Sequence, residues 1–190
     1  MSTMQEMART SAFSRTTITE LMIPSYANFG GKIHGGILLS LMDKVAYVTA
    51  SKHSGGYCVT VSVDTVDFLQ PVEVGELVSL KASVNYVGNS SMIVGIKVIS
   101  EDVKTGKIKH TNTCYFTMVA KGEDDKPCKV PKLILETPTD VRRFVEAIYR
   151  RKFKQNYETN LSEIKANWDK QDINALLKDQ RCINQVAGQV

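Results

Sequence analysis

The sequence has no Cys-x-x-Cys pair, no His-Glu-x-x-His helix, no Gly-x-Gly-x-x-Gly and no Gly-x-x-x-x-Gly-Lys-Ser/Thr loop. Zinc sites and phosphate cradles require such spacings, so metal and nucleotide-fold chemistry start without support. The four cysteines, Cys58, Cys114, Cys128 and Cys182, are scattered. They read as buried or idle thiols rather than as a disulfide framework. The three histidines, His34, His53 and His110, also lack metal-ligand spacing. Twelve glycines and five prolines in 190 residues are too few for a collagen-like or low-complexity chain. No apolar run approaches the roughly 18 residues of a membrane span. Residues 1–10 are polar and hold no signal-peptide core. A cytoplasmic protein without a membrane partner is expected.

Hydrophobic residues make up 43% and charged residues 23%, enough apolar material for a packed core. The length fits one domain of about 100–200 residues with an appendage. A net charge of +4 is too mild for a dedicated nucleic-acid binder. Charge also divides the chain. Residues 1–136 hold 14 basic and 13 acidic side chains, residues 137–190 hold 10 and 7, and Pro127, Pro131 and Pro138 mark the border. Residues 121–138 read as a linker. The predicted domains are therefore 1–136 and a C-terminal helical extension, 137–190.

Hydrophobic period gives the elements. Residues 13–20 are rich in Thr and Ile and read as a short strand. From Gly36 to His53, Ile37, Leu41, Val45 and Val48 recur at helical spacing with Leu38, Met42 and Thr49 beside them, a helix of about five turns. After Gly55-Gly56 the period becomes two: Val59, Val61 and Val63, then Val78 to Tyr86, Met92 to Val98, and a last strand over 107–120. Gly88-Asn89 is a hairpin-type turn. One long helix followed by an antiparallel meander is an α+β pattern. The helix is apolar over half its girth, so the sheet must wrap around it. In the tail, Val141, Phe144, Val145, Ile148 and Tyr149 predict a helix with Thr139 or Asp140 as its N-cap. A second helical stretch is expected around Leu161, Ile164 and Trp168, then Ile173 to Leu177.

The segment with chemical content is Asn28-Phe-Gly-Gly31-Lys-Ile-His34-Gly35-Gly36, with Asp43 following inside the helix. Gly35 and Gly36 open a helix whose first N–H groups lack internal partners, and its dipole adds positive potential there. A developing oxyanion could be stabilised at such a place. Asn28 can orient water or a carbonyl, and Asp43 could act as general base or nucleophile. Each has a plain structural alternative. Asp43 falls off the apolar arc, as a solvated acid would. The glycines suit close helix–sheet packing, His34 suits a cap, and Thr60 suits a sheet face.

The segment resembles the hotdog-fold acyl-CoA thioesterases, in particular the bacterial and mammalian acyl-CoA hydrolase group. The family pattern, Asn-x-x-Gly-x-Ile/Val-x-Gly-Gly and then a helix with Asp after Leu/Met, is matched by Asn28, Gly31, Ile33, Gly35, Gly36 and Leu41-Met42-Asp43. Thr60-Val-Ser-Val-Asp64, Phe68-Leu-Gln-Pro71-Val-Glu-Val-Gly75, Val87-Gly-Asn-Ser-Ser-Met92 and Phe116-Thr-Met-Val-Ala120 follow in order. Tyr26 stands where the family usually has Asp. The likeness covers about residues 18–132.

The resemblance implies a hotdog fold, a long central helix wrapped by a curved antiparallel sheet. It also implies a homo-oligomer, with a dimer as the minimum and commonly a hexamer made of three dimers. The implied activity is hydrolysis of acyl-CoA thioesters to fatty acid and coenzyme A, which is part of the substrate, with no other cofactor and no metal. Asp43 would activate water or attack the thioester, Asn28 would position water or the acyl group, Gly35 and Gly36 would bind the oxyanion, and Thr60 would support the water or Asp43. His34, Gly88, Asn89, Ser90 and Ser91 are candidates for substrate binding. Two rivals stand beside this reading. A dehydratase or hydratase would want a catalytic His in a His-x-Phe-Pro-like setting, whereas His34 is followed by Gly-Gly. A non-catalytic acyl-CoA sensor would ordinarily carry a DNA-binding module.

Overall fold

The computed structural model describes residues 7–186. They form, in order, β1 (Ala8–Thr10), α1 (Ser11–Ser14), β2 (Thr16–Leu21), α2 (Gly35–Ser54), β3 (Cys58–Val63), β4 (Glu76–Val87), β5 (Ser91–Asp102), β6 (Ile108–Ala120), β7 (Lys132–Ile134), α3 (Pro138–Ala166) and α4 (Ile173–Leu177). The chain divides into two compact units after Ala147. In the first, five antiparallel strands lie in the order β2-β4-β5-β6-β3, with α2 packed against them. This is the expected α+β hotdog arrangement.

Alternation on the strands decides which sheet face meets the helix. Val78, Leu80, Ala82 and Val84 of β4, Met92, Val94, Ile96 and Val98 of β5, and Cys114, Phe116 and Met118 of β6 are buried in one core. Leu38, Leu41, Met42, Val45, Ala46 and Ala50 of α2 complete it. Full burial of each large apolar side chain contributes about 1.5–3 kcal/mol, so this interface fixes where α2 lies.

Both ends of α2 are closed by identifiable groups. His34 is the N-cap, its Nδ1 accepting from the Gly36 N–H at 2.9 Å. At the other end Gly55 takes φ +79°, a left-handed conformation that suits glycine, and its N–H donates to Ser51 O. The Arg9 guanidinium then donates to the carbonyls of Lys52 and His53 at 2.6 and 2.8 Å, a cation on the negative helix end.

Residues 13–20 are not one strand. Residues Ser11–Ser14 make a helical turn capped by Thr10, whose hydroxyl accepts from the Phe13 N–H, and β2 begins at Thr16. Residues 121–138 are likewise more than a linker. They contain β7, which pairs in parallel with β1 through Ala8↔Lys132, Arg9↔Leu133 and Thr10↔Ile134. The prolines around it kept β7 short, and its partner lies too far off in sequence for a local pattern to reveal it.

Candidate active site

Asp43 lies in the third turn of α2, exposed where Leu41, Met42 and Val45 are buried. Its helical face is set by spacing: Gly35, Leu39, Asp43 and Tyr47 are four residues apart and share one stripe. β3 runs alongside and supplies Thr60, whose hydroxyl donates to Asp43 Oδ1 at 2.6 Å. The β3–β6 register shifts between Thr60 and Ser62, so Val61 is the extra residue of a bulge beside this contact. Bulges re-aim side chains in this way near functional sites. Asp43 Oδ2 has no hydrogen-bond partner among the described residues. The carboxylate is thus held by one oxygen and presented by the other.

Two cavities border Asp43. One, of about 360 Å³, is lined by Asp43, Lys44, Tyr47, Tyr57, Cys58, Val59 and Thr60. Its aromatic wall is a tilted pair, Tyr47 and Tyr57, with ring centroids 6.2 Å apart. The other, of about 460 Å³, is largely apolar and is lined by Leu39, Asp43, Val63, Asp64, Val66, Phe68 and Phe116. Phe68 reaches it because its loop is tied down: Leu69 N–H donates to Thr111 O, and Ile33 N–H to Val72 O. A Cβ built on Gly35 would lie 3.4 Å from the Phe68 ring, so the ring packs in contact with the start of α2. A cavity of mixed lining and a largely apolar one therefore meet at one carboxylate.

The Asn28 loop is closed by its own side chain. Asn28 Oδ1 accepts from the N–H groups of Gly30 and Lys32 at 2.9 and 3.2 Å, and Gly31 takes φ +76°. The Asn28 Nδ2 has no partner among the described residues. Tyr26, at the family's usual Asp position, donates its hydroxyl to Glu20 at 3.0 Å, and that carboxylate pushes the Tyr26 pKa up. Neither cavity at Asp43 includes Asn28. Within one chain, the loop and the acid do not line a common space there.

The two glycines differ. Gly36 N–H is taken by the His34 cap, whereas Gly35 N–H has no partner among the described residues. The Gly88–Ser91 turn closes with Gly88 N–H on Ser91 O, and its Asn89 and Ser90 carbonyls accept from Val130 and Ala120. It lines neither cavity. Cys58 borders the first cavity, but burial pushes its thiol up, and burial takes Cys114 to about 12. Neither is an activated nucleophile. Among the described residues no cluster of three His, Cys, Asp or Glu side chains could hold a metal ion. Leu39, Tyr47, Tyr57 and Phe68 were not singled out from the sequence as site residues. The four-residue spacing around Asp43 was the available signal for Leu39 and Tyr47.

The model of the thioesterase superfamily matches residues 30–107, which include Gly35, Gly36, Asp43 and Thr60. Protein VdlD of Helicobacter pylori is 48% identical over 141 residues, 74% of this chain and 80% of that protein. The chain belongs to the thioesterase superfamily. A solved apo-hexameric acyl-CoA thioesterase resembles this thioesterase with a TM-score of 0.78 and 34% identity, covering 80% of this chain and 97% of the other. An acyl-CoA hydrolase of Staphylococcus aureus, in complex with butyryl coenzyme A and coenzyme A, gives 0.74 and 30%, covering 84% and 99%. Its Asn28Ala, Thr60Ala and Asp43Ala mutants also match this thioesterase fold.

Proposed function

We propose that this thioesterase hydrolyses acyl-CoA thioesters to free acid and coenzyme A, with Asp43 as its general base or nucleophile. The observation that carries the assignment is the Thr60–Asp43 hydrogen bond of 2.6 Å, which orients the carboxylate between a cavity of mixed polar and aromatic lining and a largely apolar one. A thioester has the same division: a polar pantetheine arm, a reacting carbonyl and an apolar chain. With Oδ1 held by Thr60, Oδ2 is the oxygen that takes a proton from water or attacks the carbonyl carbon. The Gly35 N–H is the free amide at the positive end of α2 and suits a developing oxyanion. Gly36 supports it indirectly, by holding the His34 cap in position. Asn28, with its Nδ2 unpartnered, donates to the acyl group or to water. His34 and the Gly88–Ser91 turn are proposed as contacts to the substrate's coenzyme A portion.

Because neither cavity at Asp43 includes Asn28, we propose that the two residues meet across a two-fold dimer, which can bring the loop of one chain beside the helix of another. The hexameric and coenzyme A-bound relatives support an oligomer acting on acyl-CoA, with a hexamer as the proposed assembly. A cytoplasmic location is proposed on the four free cysteines. A thioesterase domain over 1–136 and a helical extension over 137–190 are proposed on the proline-marked change in charge.

The test is thiol release measured across acyl-CoA chain lengths. Release well above background for a range of lengths is the expected result. Background release at every length would overturn the enzyme reading and favour a ligand-binding sensor.

A further inference from the structure

The sheet face opposite α2 carries an arrangement that the hydrolytic reading does not use. Lys81 of β4 and Lys97 of β5 are direct cross-strand partners, and Thr113 of β6 is the next in that row. Like charges placed opposite one another across a sheet are destabilising. Above them, the first turns of α3 add Arg142 and Arg143, and the five side chains border a cavity of about 180 Å³. One carboxylate, Glu146, lines the same cavity and is engaged by Arg142 at 2.5 Å. Lys81, Lys97 and Arg143 have no carboxylate partner among the described residues.

The floor of the cavity is specialised as well. Strand pairing passes from Val84↔Val94 to Tyr86↔Ile93, so Asn85 is the extra residue of a bulge. Its side chain lies over Gly95: a Cβ there would come within 2.2 Å of Asn85 Nδ2. Asn85 is 6% exposed and Ser83 7%. Asn85 Oδ1 accepts from Ser83 Oγ at 3.0 Å, while Nδ2 has no partner among the described residues. Arg143 reaches the same Ser83 hydroxyl at 3.5 Å. A bulge, a glycine and a nearly buried amide donor thus lie under four cations with one carboxylate among them.

We propose that this cavity binds a phosphate or diphosphate group. Guanidinium forks and ammonium groups converging with an unpaired N–H match the several acceptor oxygens of phosphate and its multiple charge. The bound anion removes the Lys81–Lys97 repulsion. The cavity's small volume admits the phosphate portion of a ligand and leaves the remainder outside. The group comes either from a free phosphate-bearing anion or from the phosphates of coenzyme A. The site stands apart from the Asp43 assignment, because it lies on the other face of the sheet and is read by binding rather than by turnover.

The experiment uses the full-length protein at low ionic strength, titrated with sodium pyrophosphate and separately with free coenzyme A. Calorimetry and thermal melting are followed for wild type and the double variant K81Q/K97Q. Pyrophosphate is expected to raise the wild-type melting temperature, and the double variant to bind it at least about tenfold more weakly, given the strength of charge-assisted hydrogen bonds. Without ligand the variant should melt no lower than wild type, which separates a lost site from a damaged fold. An equal loss for coenzyme A supports the proposal with the substrate as the source. A loss confined to pyrophosphate supports it with a separate anion. No binding of pyrophosphate to wild type, or equal binding by both proteins, overturns it.

Discussion

In α2, eight of twenty residues are buried, whereas the twenty-nine residues of α3 bury two, Asp140 and Ala147. Both helices carry apolar residues at helical spacing. The difference lies in what their partners offer. For α2, three long strands bring alternating apolar side chains to meet it, and its ends are closed by His34, Gly55 and Arg9. The start of α3 is held mainly by polar contacts, with Thr137 and Ser11 hydroxyls on Asp140, and by one ring pair, Tyr86 with Phe144. Val141, Val145, Ile148 and Tyr149 remain exposed. An amphipathic pattern therefore states a capacity for burial, and tertiary partners decide whether it is met. A carboxylate that must be held to within a fraction of an ångström belongs on the first kind of helix.

The contrast can be broken most sharply by truncation. Met42→Ala, at a fully buried position, should cost about 2–5 kcal/mol of stability in denaturant melts, against about 0.5 kcal/mol or less for Val145→Ala. Comparable losses at the two sites would show that α3 is buried as deeply as α2. The adjacent residue gives the complementary case. Asp43→Ala should lower thiol release by roughly 100-fold or more, about 2.7 kcal/mol in barrier, and leave the melting temperature near wild type. Normal turnover with a lowered melting point would make Asp43 structural.

Mixed subunits test the proposed sharing of the site. Equal co-refolding of Asn28→Ala and Asp43→Ala chains should restore roughly a quarter of wild-type activity, since about half the dimers are mixed and each has one intact site of two. Verified mixed dimers as inactive as their parents would rule out sharing. Thr60→Val keeps the shape and removes the hydrogen bond to Asp43. A fall of about tenfold in kcat is expected, with little change in KM. An unchanged kcat would mean the carboxylate needs no such support.

The smallest effect concerns the buried end of α2. His53 Nε2 donates to Pro131 O at 3.2 Å, and its Nδ1 is buried without a partner. Burial holds its pKa below the ordinary 6.5, and Arg9 adds to the effect. A folded pKa below the unfolded one means that the unfolded chain takes up the proton first. Stability should be complete above about pH 6.5 and fall as pH drops from there toward the folded pKa. His53→Gln should flatten that slope in melts between pH 5 and 6.5, values set by the ordinary histidine range. A slope equal to that of wild type would place its origin elsewhere.

Where the pattern is local, sequence and structure agree closely. The helix read over Gly36 to His53 spans Gly35–Ser54, and the meander lies within a few residues of its expected bounds. Asp43 was legible as an acid off the apolar arc, whereas the hydrogen bond that Thr60 donates to it is read from the structure. Long-range features were not legible. The β1–β7 pairing joins segments that share no periodic signal, and Arg9 reaches the end of α2 across 43 residues of sequence. Phe68 stood within a quoted motif, yet its closeness to Gly35 depends on a loop tied to Thr111, the extra residue of a bulge in β6. Side chains brought together by such anchors leave no spacing to count.

The parallel pair of β1 and β7 has a consequence for how the chain folds. Ala8 and Lys132 are partners across 124 positions, 132 minus 8, and loop-closure entropy must be overcome before their contact contributes anything. On the ribosome this strap cannot form until nearly the whole first unit has emerged, so α2 stays without its Arg9 clamp while the sheet assembles around it. The same order applies in reverse. The three-residue ladder is the part expected to open first, with early hydrogen exchange at the Lys132 amide, which donates to Met7 O.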